Sequence, residues 1–411
     1  MILTPLPPID KPMAMNHDAL FPLLDDFRIE TPSWGYADTG TRFGKFHQPA
    51  AASTIEEKLE DAGIVHKFTG CCPMVAVHVL WDFSVGVDAG ATGELARKHG
   101  VSIGSVNPTL FQDQIYKYGS AASPDERARE HAHRHVLDSI QIAKAVGSKT
   151  ISLWFADGTN YPGQDDLVAR KHRMHAALRG WHDALPRDMA MLVEYKPFEP
   201  ACYHTDIADW GMSYVYARDA GPQAKVLVDT GHHLQGANIE HIVAFLLDEE
   251  MLGGFHFNDR KYADDDLTLG SIDPYQIFRI FHEVRNAAEL HDRDVSGIAY
   301  MIDQSHNLKP KVEAMIQTIT TAQELYAKAC LVDRKKLQEA QARMNVVDAE
   351  ECLKEAFFTD VKPLLAEWRK GHNLDSNPLA AYRASGYEAR VADERESARA
   401  ARGARRHGTY A

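Results

Sequence analysis

The chain has 411 residues, 45% of them hydrophobic, and its 58 acidic against 45 basic side chains give a formal net charge of -13. This length and composition predict a globular protein with room for one large domain and appended elements. The acid excess argues against a nucleic-acid grip, which depends on clustered Lys and Arg, and no run approaches the roughly 18 apolar residues of a membrane span.

Residues 1–26 read as a proline-containing arm with a short helix around Asp18 to Leu24. Its opening, MILTPLPPIDKP, lacks the basic start and long apolar core of an export signal, so a cytoplasmic protein is expected. The five cysteines show no Cys-x-x-Cys spacing. They suggest neither a disulfide framework nor a zinc knuckle.

From Phe27 to Pro310 short β-rich runs alternate with helical stretches. The runs are FRIETPSW, VAVHVLW, VSIGSVNP, TISLWFADG, MLVEYKP, KVLVDTG, LGGFHFND and GIAYMID. Between them TIEEKLEDAGIVHKF begins on a Thr cap followed by acids, and ERAREHAHRHVLDSIQIAKAVG ends on a glycine stop. Eight strand-helix units most economically close into a (β/α)8 TIM barrel; an open doubly wound sheet shares the local signature. The Gly-x-Gly-x-x-Gly fingerprint of a nucleotide-binding sheet does not follow the first strand. Residues 311–380 are nearly all helix-compatible and predict a C-terminal helical extension, packed on the barrel or on a neighbouring subunit. Residues 381–411 gather Arg399, Arg402, Arg405 and Arg406 with few apolar anchors, and read as a solvated Arg-rich tail, with a phosphate or partner contact as the alternative.

Four of the apolar runs carry a metal-seeking side chain at their ends: Glu194, Asp229, His256 and Asp303. In a barrel all four would open onto the same face and point at a common centre. Three carboxylates and an imidazole suit a hard divalent cation, Mn²⁺, Mg²⁺ or Co²⁺ rather than a thiolate-seeking metal. Singly, an acid at a strand end is often a helix cap or an ion-pair partner. A second set lies alongside: His232 in DTGHH, three residues beyond Asp229, and Asp264 and Asp266 in KYADDDLTLGS, which point the same way if that loop is extended. This set would share Asp229 with the first; otherwise the loop is a solvent-facing acidic stretch.

The strings WGYADTGTRFGKF, LVEYKPFEP, HFNDRKYADDDLTLGSIDPYQIF and DQSHNLKP resemble the L-rhamnose isomerase family of the short bacterial type, related to xylose isomerase. The likeness runs from Phe27 to the helices after Pro310. It implies interconversion of an aldose and its 2-ketose, L-rhamnose and L-rhamnulose, with two divalent cations per subunit, Mn²⁺ foremost and Mg²⁺, Co²⁺ or Zn²⁺ as alternatives. By the same resemblance Glu194, Asp229, His256 and Asp303 would hold the structural cation. Asp229, His232, Asp264 and Asp266 would hold the catalytic one.

Lys196, two residues past Glu194 and on the same side of an extended strand, is placed to donate to the carbonyl oxygen at C1. His78 resembles the family histidine that faces the ring oxygen and helps the sugar open. Trp34, Trp81, Phe111 and Trp154 fall at or beyond strand ends, where they would wall the apolar side of a sugar. The resemblance also implies a homotetramer in which the loop from Gly40 to Pro49 reaches a neighbour's site. A ketose 3-epimerase shares the barrel, but a pair of glutamates around one metal serves its chemistry; here the last strand ends in Asp303. A metal-dependent endonuclease would want more histidines and a basic face, and a binding protein would have kept the barrel without the chemistry.

Overall fold

The computed structural model describes residues 17–41, 44–84, 86–199, 203–261 and 263–401. Eight strands, β1 Ile29–Pro32, β2 Met74–Val79, β3 Ser102–Pro108, β4 Thr150–Leu153, β5 Ala190–Glu194, β6 Ala224–Asp229, β7 Leu252–Phe257 and β8 Ala299–Ile302, form a closed barrel in which neighbours in sequence are neighbours in space. All pairings are parallel, and β1 closes the ring by pairing with β8 on one side and β2 on the other. The TIM barrel is therefore the fold, with all eight expected strands in place.

After a first helix, α1 (His17–Asp26), the strands alternate with α2 (Ile55–Thr69), α3 (Ala89–Lys98), α4 (Glu126–Val146), α5 (Leu167–Asp183), α6 (Trp210–Ala220), α7 (Ile239–Asp248) and α8 (Pro274–Leu290). Their ends follow local chemistry. Thr54 and Glu57 close a reciprocal capping box on α2, which stops at Gly70 in the left-handed conformation (φ 77°). Asp125, Asp166, Asp209, Asn238 and Asp273 cap α4 to α8 in turn.

Side-chain alternation along the strands stacks the lumen in layers. Leu192, Leu227 and Met301 form a small apolar plug inside the ring. Two residues further along the same strands, on the same face, stand Glu194, Asp229 and Asp303. His256 stands likewise two residues past Gly254, where a Cβ would come within 3.2 Å of Leu192. The plug lies below, and the polar layer above it opens at the C-terminal rim.

Beyond β8 the chain is helical: α9 (Lys311–Cys330), α10 (Arg334–Ala342), α11 (Val346–Phe358), α12 (Lys362–Gly371), α13 (Pro378–Ala384) and α14 (Tyr387–Ala401). The expected solvated tail needs correction here. Tyr387, Val391 and Arg395 are buried at four-residue spacing along α14, one face of a helix. The sequence hid this face because one of its three anchors is an arginine: Arg395 makes a two-pronged pair with buried Asp61 of α2, both bonds at 2.9 Å. Arg402, Arg405 and Arg406 lie outside the described residues, as do Cys202 and residues 1–16 of the arm.

Candidate active site

At the C-terminal rim one donor atom from each of Glu194, Asp229, His256 and Asp303 lies within 4.8 Å of all the others. Glu194 and Asp229 are the last residues of β5 and β6, His256 is next to last in β7, and Asp303 follows β8 directly. His256 Nδ1 is 3.3 Å from Glu194 Oε2, 3.7 Å from Asp303 Oδ2 and 3.9 Å from Asp229 Oδ2. Asp229 is fully buried; its Oδ1 accepts from the Gly231 amide at 2.6 Å and from Asn258 Nδ2 at 3.1 Å. Asp303 Oδ1 accepts from the Trp34 indole at 2.9 Å.

The electrostatics are those of a negative pit. Burial pushes Asp229 up to about 7, with Glu194, Asp303 and Asp264 adding to the rise against His232. Burial would lower His256, yet the surrounding carboxylates, Glu194 first, lift it to about 9. Glu194 goes the other way: burial opposes ionisation, but His256 and His232 hold it down to about 2. His256 Nε2 is buried without a hydrogen-bond partner, while Nδ1 faces the Glu194 carboxylate; an unsatisfied buried imidazole nitrogen is uncommon and costly. Three carboxylates around an unsatisfied imidazole are a donor set that fits a divalent cation.

The second expected set stands beside the first and converges less. His232 Nε2 is 3.4 Å from Asp264 Oδ1, while its Nδ1 faces Glu194 Oε1 and the Tyr195 carbonyl, each at 3.1 Å. Asp264 Oδ2 accepts from Lys196 Nζ at 2.7 Å. Asp266 sits at φ 46°, and burial together with Asp264 pushes its carboxyl well up. Among the described residues the four-donor group that brings all its atoms within 4.8 Å of one another is the first set.

These groups line a cleft of about 990 Å³, ample for a monosaccharide. Its wall is aromatic: the Trp81 ring lies 3.9 Å from His78, Trp34 meets His78 edge-on at 5.2 Å, and Phe111 bridges Trp81 and Trp154 at 6.0 and 4.9 Å. Lys196 Nζ lies 5.2 Å over the Trp154 ring. His78 Nδ1 is 2.9 Å from Thr109 Oγ1, and burial drives its imidazole down to about 3, so it is neutral at ordinary pH. Every expected site residue except Asp229, which lies beneath, lines this cleft.

Sequence reasoning missed several neighbours. Asn107, at the end of β3, was open to the same strand-end argument. Asn258, the donor to Asp229, lies in the HFND string. Lys58 gave no signal, since it belongs to a peripheral helix; its ammonium reaches the cleft and pairs at 2.6 Å with buried Asp82, which also accepts from Ser33 Oγ and the His78 amide.

A family profile described as "Xylose isomerase-like TIM barrel" matches residues 87–287. Over 389 residues the chain is 41% identical to a "Probable sugar isomerase" of Rhizobium meliloti strain 1021, covering 93% of this chain and 89% of that protein. The chain belongs to the xylose isomerase-like TIM barrel family. A second family member, a "Probable sugar isomerase" of Mesorhizobium japonicum, is 39% identical over 383 residues, 92% of this chain and 88% of its own. Among solved structures, that of an L-ribulose 3-epimerase superposes with a TM-score of 0.53 at 13% identity, over 77% of this chain and 98% of its own. At that identity the likeness speaks for the family fold alone. Among the described residues no helix is long and apolar enough to cross a membrane.

Proposed function

We propose that this chain is an aldose-ketose isomerase working with two divalent cations, with L-rhamnose and L-rhamnulose as its sugar pair. The observation that carries the reading is the buried four-donor group, with His232, Asp264 and Lys196 set beside it in an aromatic-walled cleft. Near-full-length relatives bearing a sugar isomerase name support the same class. Glu194, Asp229, His256 and Asp303 would hold one cation; Asp229, His232, Asp264 and Asp266 would hold the other, Mn²⁺ being favoured by the hardness of the donors. Bound there, the cations would supply Lewis-acid stabilisation of negative charge on the sugar oxygens at C1 and C2.

The reaction moves one hydrogen from C2 to C1 and one hydroxyl proton from O2 to O1. Lys196 donates a hydrogen bond to O1, its ammonium held by Asp264 and by the face of Trp154. Neutral His78 donates from Nδ1 to Thr109 Oγ1, whose hydroxyl is given to the Val79 carbonyl, and so offers Nε2 as the acceptor for proton traffic at the ring oxygen during opening. Trp34, Trp81, Phe111 and Trp154 cover the apolar face of the sugar and exclude water. The assembly is a homotetramer on this reading, and the exposed Phe46 side chain in the Gly40–Pro49 loop supports a contact with a neighbouring subunit; light scattering in solution tests it.

A ketose 3-epimerase is the second reading, favoured by the presence of one fully convergent four-donor group. Metal-stripped protein resupplied with each divalent cation, then assayed on a panel of aldoses and ketoses, separates the two. A ketose formed from L-rhamnose with two cations per subunit supports isomerase. A C3 epimer with one cation overturns it.

A further inference from the structure

The C-terminal helix α14 is joined to the cleft by a continuous chain of hydrogen bonds. Two of its arginines, one turn apart, face four consecutive backbone carbonyls of the irregular segment that follows the β1 loop. Arg399 donates to the carbonyls of Gln48, Pro49 (2.9 Å) and Ala51, and Arg395 donates to Ala50. Arg395 is itself fixed by its two bonds to Asp61 and by one to the Glu57 carbonyl.

The segment so held reaches the cleft through Gln48. The Gln48 amide donates to Asp38 Oδ1 at 2.9 Å, and its side-chain nitrogen donates to the carbonyls of Asn307 (3.2 Å) and Lys309 (3.0 Å). Thr39 Oγ1 donates to Asn307 Oδ1 at 2.9 Å. Asp38, Thr39 and Asn307 all line the cleft beside Trp34 and Asp303. Segment 46–51 has no strand or helix of its own to hold it. Guanidinium-to-carbonyl bonds are charge-assisted and directional, so they order such a segment more firmly than neutral bonds do.

We propose that α14 is a strap that positions the substrate rim: Arg395 and Arg399 lock residues 48–51, and Gln48 passes that order to Asp38, Thr39 and the Asn307 loop. The inference rests on the reading of the cleft as a sugar site. Arg399 is a positioning residue, remote from the reacting atoms. Rim groups that touch the sugar equally in ground and transition states set KM and leave kcat alone.

The test is Arg399→Ala with Arg399→Lys beside it, in the full chain loaded with Mn²⁺. For Arg399→Ala the aldose KM rises roughly tenfold, about the loss of one charge-assisted hydrogen bond. kcat stays within about twofold, the pH profile does not move, and Arg399→Lys recovers part of the loss. Amide hydrogen exchange quickens in residues 45–52 and 305–309 and is unchanged in β5 to β7. Wild-type KM with wild-type exchange overturns the strap, and so does a fall in kcat with exchange raised across the whole barrel. If wild-type protein converts no sugar, the reading of the cleft fails, and the exchange measurement alone decides the strap.

Discussion

Asp303→Asn is expected to stabilise the metal-free protein while removing the response to metal that comes from the first cation set. The side chain keeps its shape and its bond from Trp34, but one negative charge leaves the pit. With donor atoms up to 4.8 Å apart, a carboxylate pair at an effective dielectric of 20 repels by about 3.5 kcal/mol. Asp303 has two such neighbours, Glu194 and Asp229, the latter about half protonated at neutral pH. Against this stands attraction to the protonated His256 at 3.7 Å, about 4.5 kcal/mol on the same scale. The balance favours neutralising Asp303 by roughly 1–2.5 kcal/mol. For 411 residues the unfolding entropy is about 0.9 kcal/mol/K, so Tm in EDTA rises by roughly 1–3 °C. Adding Mn²⁺ to about a hundred times its Kd stabilises by about 2.7 kcal/mol, near 3 °C, for each cation bound, so the variant, left with the Asp229, His232, Asp264 and Asp266 set alone, shows about half the wild-type shift. Thermal unfolding in EDTA and across a Mn²⁺ titration reads both effects, alongside turnover, which is lost in the variant. A variant less stable than wild type in EDTA, or one that follows Mn²⁺ as wild type does, would refute the ligand assignment.

Lys196→Gln should lower kcat by roughly two to three orders of magnitude, the size of a lost oxyanion donor, with an unchanged circular dichroism spectrum; a change confined to KM would show that Lys196 only binds. His78, depressed to about 3 by burial, binds its proton more weakly folded than unfolded, so its contribution to stability is complete above pH 6.5 and is lost as pH falls toward about 3. It follows that His78 gives activity no limb near pH 6.5, and that His78→Asn slows reaction of the ring form more than that of an open-chain aldose; an acid limb near 6.5 that vanishes in the variant counts against a neutral His78. Lys58→Met strands buried Asp82 without its cation, at a cost of about 3–5 kcal/mol, measured as a lower urea midpoint; an unchanged midpoint would show that Asp82 relies on Ser33 and the His78 amide alone.

The barrel was readable because its signals are short-range. Strand runs of four to seven residues alternate with capped helices, and side-chain alternation places Glu194, Asp229 and Asp303 on the lumen face whatever the exact strand ends. What escaped depends on partners far apart in sequence. Nothing local to Lys58 says that Asp82 lies opposite, and the pairing of Arg395 with Asp61 spans 334 residues. A periodicity search also scores an arginine as solvent-facing, so the buried face of α14 passed for a tail. The second donor set was legible as composition only, since the turn that sets Asp266 at positive φ decides which way that loop aims its acids.

The bond from Trp34 to Asp303 joins the first strand's loop to the last strand's end across the seam where the barrel closes. During synthesis, therefore, β1 to β7 can emerge from the ribosome with three of the four donors and still lack a complete pit. On the proposed reading, capture of the first cation would wait for β8 to dock beside β1, so that cation would reward a finished barrel and give nothing comparable to a partial one.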